Sequence, residues 1–197
     1  MNSTIEYYNN NADQYYWATV GVDLDASRKK FASYLPSEAS VIDMGCGSGR
    51  DVLAFSDMGF NATGIDAAQE LVKLAKERLE IRAFAGDMVS WIAAEPYDGI
   101  WCCASLIHLD ESECRRFFRN LGRNLKTGGA LYVSVKSGIE TGTDSYGVYQ
   151  RNIDEEEIRR LIADVTGLEI KEQWYTDDSM DRRGFRWLNL IAVRSPY

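Results

Sequence analysis

Short apolar runs alternate with amphipathic stretches along most of the chain. Ala39–Met44 is the first run with strand character. It leads through Gly45-Cys-Gly-Ser-Gly49 into Arg50–Asp57, where Leu53, Ala54 and Met58 fall on one helical stripe and Gly59 supplies the stop. Asn61–Asp66 predicts a second strand. Ala68–Leu79 predicts a helix, with Leu71, Leu74, Ala75 and Leu79 on one side. Ile81–Ala85 reads as a third strand, Met88–Ala94 as a short helix and Tyr97–Cys103 as a fourth strand. Asp110 stands where an N-cap belongs, with acidic residues in the first turn of a helix that runs to about Lys126 and closes at Gly128-Gly129. Ala130–Val135 is a fifth strand, and residues 136–150 form a polar, Gly-rich insertion. Asp154 caps a helix that stops at Gly167. Leu168–Tyr175 and Trp187–Val193 are the last two strands, joined by the charged stretch 177–184.

Strands that alternate with helices predict an α/β fold, a parallel sheet doubly wound with helices on both faces. No helix lies between Tyr175 and Trp187, so the last strand is expected to be antiparallel. Residues 3–35 read as two helices, the second Ala26–Leu35. They have no strand partner, so residues 1–35 are expected to form an N-terminal helical cap, and 36–197 the domain proper, within one structural unit.

Composition narrows the function. The 197 residues suit one ordinary domain able to bury ~70% of its unfolded surface. Lys+Arg is 22 and Asp+Glu is 30, a net charge of −8, which argues against a sequence-independent grip on nucleic acid or an anionic membrane. No apolar run reaches the ~18 residues of a membrane span, and the polar N-terminus lacks a signal sequence, so the expected location is the cytoplasm. Cys46, Cys102, Cys103 and Cys114 form no C-x-x-C pair, and His108 is the single histidine. Reduced thiols and no metal are expected.

The strongest chemical signal is Val41-Ile-Asp-Met-Gly-Cys-Gly-Ser-Gly49. Three glycines between a strand and a helix imply a sharp turn and a close approach to a ligand at a helix N-terminus. A pyrophosphate loop wants a third glycine at position 50, where this chain has Arg50. With Asp43 at the strand end, the loop suits a zwitterion better. Asp66 ends the second strand, where an acid meets ribose hydroxyls in this fold class or else caps the next helix. Asp87 after Gly86 can accept from an adenine amino group, cap a turn, or do both, with Met88 against the ring.

These motifs, with Gly64-Ile-Asp66, Tyr97-Asp98-Gly-Ile and Leu125-Lys-Thr-Gly-Gly-Ala-Leu-Tyr-Val133, stand in an order and spacing that resembles the small class I S-adenosylmethionine-dependent methyltransferases over roughly residues 39–135. The resemblance implies a Rossmann-like seven-stranded sheet with its last strand antiparallel. It implies S-adenosyl-L-methionine as cofactor and S-adenosyl-L-homocysteine as product. Asp43, Gly45, Cys46, Gly47 and Arg50 would form the methionine side of the site. Asp66 with Ala67 would hold the ribose and Asp87 with Met88 the adenine, while Cys103, Ala104 and Ser105 would lie beside the sulfonium.

The segment after the fourth strand bears on the acceptor. Its residues, Cys102-Cys-Ala-Ser-Leu-Ile-His-Leu109, contain neither the Asn/Asp-Pro-Pro-aromatic nor the Pro-Cys pattern of base-modifying members, which favours an O or N nucleophile on a small molecule. His108, in Leu-x-His-Leu, is either a proton acceptor or a structural histidine. Tyr7, Tyr8, Tyr15, Tyr16 and Trp17 crowd the first 20 residues. A lid over the pocket mouth, with Tyr7, Tyr15, Tyr16 and Trp17 beside the substrate, is the expectation, against simple packing of the cap on the sheet. Arg115, Arg119 and Arg123 read as a solvated helix face. An RNA or protein acceptor, and a noncatalytic cofactor-binding regulator, are the alternatives; Arg50 argues against an oxidoreductase.

Overall fold

The computed structural model describes residues 3–180, 182 and 184–196. Residues 1 and 2 of the expected cap, and 181 and 183 of the charged stretch, lie outside the described residues. The elements are α1 (Ser3–Asn10), α2 (Ala12–Thr19), α3 (Asp25–Ala32), β1 (Ser40–Met44), α4 (Arg50–Asp57), β2 (Asn61–Asp66), α5 (Gln69–Leu79), β3 (Ala83–Ala85) and β4 (Tyr97–Cys103). After a 3-10 turn at Leu106–His108 come α6 (Glu111–Asn124), β5 (Leu125–Ser137), β6 (Gly142–Thr143), β7 (Tyr149–Gln150), α7 (Glu155–Ala163), β8 (Leu168–Thr176) and β9 (Arg186–Arg194).

Seven strands form one sheet in the order β3-β2-β1-β4-β5-β9-β8. Strands β1 to β5 run parallel, and β9 is antiparallel to both β5 and β8. The two-residue strand period sends alternate side chains to opposite faces. Ile42 and Met44 of β1 join Phe117, Phe118 and Leu121 of α6 and Ile158 and Leu161 of α7. Val41 faces the other way, with Phe31 of α3, Phe55 of α4 and Val72 of α5. On that second face the buried Trp101 and Tyr132 rings stack at 3.7 Å. Helix α6 opens with a capping box, in which Asp110 accepts from the Glu113 N–H and the Glu113 carboxylate accepts from the Asp110 N–H.

Three local expectations are corrected, and the insertion gains a form. Residues 88–94 hold only a turn at 88–90, because the carbonyls a helix needs are taken: Asn120 Nδ2 donates to Val89 O and Asn124 Nδ2 to Trp91 O. The cap has three helices rather than two. Asn11 leaves the helical region, and its side chain and backbone N–H both bond to Tyr7 O. Helix α6 ends at Asn124, and β5 starts at once, running through Gly128-Gly129 to Ser137; Leu125 already pairs with Tyr97. A Cβ at Gly129 would press against Asp98 O, so the sheet itself needs that glycine. The insertion is a hairpin of β6 and β7 whose turn carries Gly147 at φ +85°.

Candidate active site

Two cavities open along the carboxyl ends of the parallel strands, one of about 400 Å³ and one of about 250 Å³. They share a wall made by Tyr8, Tyr15, Gly45, Gly47, Cys103, Ala104 and His108. This is the edge where open α/β sheets bind ligands.

The wall starts at the end of β1. Gly45 sits at φ +86°, and a Cβ there would strike Ser105 Cβ; Gly47 is at φ +49°, with Tyr15 within 3.1 Å of where its Cβ would be. Gly49 plays another part. It packs α4 onto Ile81 and Ala75, so its role is closeness of helix to sheet. The Gly45 and Cys46 N–H groups both donate to Ile65 O, the Gly47 N–H to Asp66 Oδ2 and the Gly49 N–H to Cys46 O. The loop therefore keeps no nest of free amides for a pyrophosphate, in line with Arg50 standing where such a loop has glycine.

The larger cavity is lined by Asp66, Ala67, Gly86, Asp87, Met88 and Ser105. Asp66 ends β2, and its two oxygens accept from the Gly47 and Ala68 N–H groups at 2.8 Å each. A carboxylate has about four acceptor positions, so it can take further donors from a ligand. Burial raises its pKa, and those N–H groups pull the other way. Asp87 ties its own turn, accepting from the Val89 N–H at 2.9 Å and Ser90 Oγ at 2.7 Å. Ser105 Oγ is buried with no hydrogen-bond partner among the described residues.

The smaller cavity lies over β4, β5 and β9. Asp43 and Arg50 line it near the glycine loop. Arg50 directs Nε and Nη2 onto Asp51, at 3.0 and 2.9 Å, and Nη1 onto Thr19 O. Burial, and then the neighbouring Asp51 charge, push the Asp43 carboxyl well above its usual range. Cys46 is buried behind the loop against Gly64, though it still borders this cavity. Burial pushes the Cys103 thiol up to about 12, which removes it as a thiolate nucleophile. Ala104 adopts φ +57°, a position most side chains avoid, held by its N–H donating to Ser134 O and Oγ.

His108 stands where the two cavities meet. Its Nδ1 is 2.8 Å from Tyr149 O. A carbonyl only accepts, so Nδ1 carries the proton and Nε2 accepts from the Tyr8 hydroxyl at 3.1 Å. Burial lowers the His108 pKa, which keeps the ring neutral.

The N-terminal segment crosses this edge of the sheet. Ser3 Oγ donates to Gly147 O, the Tyr149 N–H to Thr4 Oγ1 and the Glu70 N–H to Asn9 Oδ1, so α1 bridges the hairpin and α5. Of the four aromatics expected at the substrate, Tyr15 lines both cavities. Tyr7 packs on Tyr146, Tyr16 is buried against Arg78, and Trp17 is 62% exposed. Tyr8 takes the place expected of Tyr7, because one helical step of about 100° turns the next side chain inward. Sequence reading also passed over Lys136, Asp178 and Arg182, which line the smaller cavity. The only signal for Lys136 was a charge two residues after Ser134 in an otherwise apolar strand.

Residues 41–129 match a family model described as a methyltransferase domain. Over that stretch, a little under half of its length, the chain is similar to methyltransferase domains. A ubiquinone biosynthesis O-methyltransferase of Rickettsia canadensis (strain McKiel) is 23% identical over 186 residues, covering 77% of this chain and 76% of that protein. A dTDP-4-amino-2,3,4,6-tetradeoxy-D-glucose N,N-dimethyltransferase of Saccharopolyspora spinosa is 28% identical over 102 residues, 50% of this chain and 41% of that protein. The Burkholderia thailandensis 1,6-didemethyltoxoflavin-N1-methyltransferase, solved with 1,6-didemethyltoxoflavin and S-adenosylhomocysteine bound, shares the fold at a TM-score of 0.76 and 18% identity, over 97% of this chain and 88% of that one. The chain spans about half the length of the first curated relatives it matches, 50% and 48%. Among the described residues, no helix is long and apolar enough to cross a membrane.

Proposed function

We propose that this chain transfers the methyl group of S-adenosyl-L-methionine to an oxygen or nitrogen of a small-molecule acceptor, releasing S-adenosyl-L-homocysteine. The observation that carries the reading is the pair of cavities meeting at one wall of glycine loop, β4 end and His108. The residues fit such a cofactor on two counts. Gly45 leaves a cradle that a Cβ would fill, and Ser105 Oγ is a buried polar atom awaiting a partner. Asp66 and Ala67 would hold the ribose, and Met88 the adenine face. Asp87 would reach the adenine only while also tying its turn. Asp43, Gly45 and Gly47 would hold the methionine end. Arg50, whose donors are committed to Asp51 and Thr19, would shape that end rather than bind it. When bound, the cofactor supplies an electrophilic methyl group on a sulfonium.

The protein's share is positioning, exclusion of water and removal of a proton. The smaller cavity would take the acceptor, with Cys103 and Ala104 as its floor. His108 Nε2, reached directly or through the Tyr8 hydroxyl, would accept the acceptor's proton. A cavity of about 250 Å³ favours a small acceptor over a polymer.

Calorimetry with S-adenosylhomocysteine tests the reading. Wild type should bind, and Asp66→Ala should raise the dissociation constant about 10- to 150-fold, the worth of a charge-assisted hydrogen bond. No binding by the folded wild type overturns the reading, and unchanged affinity in the variant removes Asp66 from the site.

Residues 3–20 would act as a lid, since Tyr8 and Tyr15 line both cavities. Hydrogen exchange should show their amides gaining protection when S-adenosylhomocysteine binds. Equal protection with and without it makes the segment a fixed cap.

A further inference from the structure

The smaller cavity contains a buried cation that has no ion-pair partner among the described residues. Lys136, near the end of β5, is only 8% exposed. Among the described residues its ammonium is in no ion pair; it donates to the Gln150 side-chain carbonyl and lies over the rings of Phe185, at 4.7 Å, and Trp187, at 5.6 Å. An ammonium has three N–H donors, and one is engaged.

The acids of the cavity are already committed or distant. Asp178 Oδ1 accepts from Arg182 Nη2 and Trp187 Nε1, and its Oδ2 from Arg182 Nε and the Met180 and Arg182 N–H groups. Asp51 is held by Arg28, Arg50 and Trp101. Asp43 lies at the far end, under the glycine loop. Burial, and then the like charge of Arg182, pull the Lys136 pKa down, and the charges of Asp178 and Asp144 offset this only in part.

The strand sets the span. Ser134 and Lys136 share a face of β5, and Ser134 Oγ is 3.6 Å from Cys103 Sγ. Two residues along a strand cover about 7 Å. That separates Lys136 from the shared wall by roughly the length of one small ring. Trp187, paired with Lys136 in the sheet register, and Tyr132 flank the space.

We propose that Lys136 is a specificity-determining residue of this cavity, and that the acceptor is a small anion whose carboxylate or phosphate sits on Lys136 while its nucleophile faces Cys103 and His108. The proposal rests on the methyl-transfer reading for the identity of the cavity, but its test separates the two. Calorimetry on the full chain, with and without S-adenosylhomocysteine, would use 4-hydroxybenzoate and benzoate, their matched primary amides, and phenyl phosphate. At least one anion should bind about 10-fold or more tightly than its neutral counterpart. A carboxylate preferred over phenyl phosphate, or the reverse, names the anionic group. Lys136→Met should erase the preference, Lys136→Arg should keep part of it, and both should bind S-adenosylhomocysteine within about twofold of wild type. If Lys136→Met fails to fold, the wild-type comparison with Lys136→Arg decides. Equal binding of acids and amides, no binding of any probe at millimolar concentration, or a preference that survives Lys136→Met overturns the proposal. Wild type that binds the acids but no S-adenosylhomocysteine overturns the methyl-transfer reading instead.

Discussion

Asp51→Ala should lower the free energy of unfolding by about 3–5 kcal/mol, the loss typical of breaking a buried ion pair from one side. Asp51 is 3% exposed, in the first turn of α4. Its carboxylate accepts from Arg28 Nε at 2.9 Å, Arg50 Nε at 3.0 Å and Nη2 at 2.9 Å, and Trp101 Nε1 at 3.0 Å. Removing it strands two guanidinium groups and an indole N–H beside Phe31, Phe55 and Tyr132. The cluster also ties α3 to α4 and, through Arg50 to Thr19 O, steadies the end of α2. For a chain of this size the melting temperature should fall by about 6–20 °C. Burial pushes the Asp51 pKa up, but Arg50 and Arg28 more than offset this and leave it lowered. Its contribution is therefore present above the unfolded carboxyl range and lost as pH falls through the folded value. Denaturant melts of the variant at neutral pH give the check; a loss under about 1 kcal/mol would mean that the arginines find other partners or water.

His108→Ala should lower kcat by about 10²–10⁴ with a true acceptor, the range for losing a general base, while S-adenosylhomocysteine affinity changes little. The Tyr149 carbonyl fixes the tautomer, so Nε2 is the acceptor of protons, and the Tyr8 hydroxyl is its partner. Burial raises the Tyr8 pKa far above its ordinary value, so Tyr8 passes a proton on rather than holding a phenolate. If the proton travels through that hydroxyl, Tyr8→Phe should approach the loss seen for His108→Ala. Burial also lowers the His108 pKa. Wild-type kcat should therefore hold until pH drops below the ordinary histidine value of about 6.5, and the acid limb should vanish in His108→Ala. A kcat loss under about threefold returns His108 to a structural role, holding the hairpin through Tyr149.

Much of the fold was legible because its signals are local. The glycine loop between Met44 and Arg50, the acids that end β2 and follow β3, and the Asp110 and Asp154 caps each state their role within a few residues. The chain pattern also foretold the antiparallel last strand, since no helix could cross between Tyr175 and Trp187. The errors came where distant groups compete for backbone partners. Asn120 and Asn124 of α6 reach across to 88–94 and undo a helix that local propensity favours. Likewise, the choice of Tyr8 over Tyr7 depends on which face of α1 meets the sheet edge, and that is set by anchors on Gly147, Tyr149 and Glu70, far away in the chain.

The sequence by itself determined the sheet, its winding and the glycine-loop, Asp66 and Asp87 side of the candidate site, because strand period, helix period and glycine conformation act over neighbouring residues. Only the tertiary structure decided the other side. Lys136, His108 and the Asp178–Arg182 pair come from separate segments, and their states depend on who sits beside them: a carboxylate saturated by Arg182, an imidazole oriented by Tyr149, an ammonium in no ion pair among the described residues. Charge and burial at one point in space are sums over segments far apart in the chain, so no local pattern can state them.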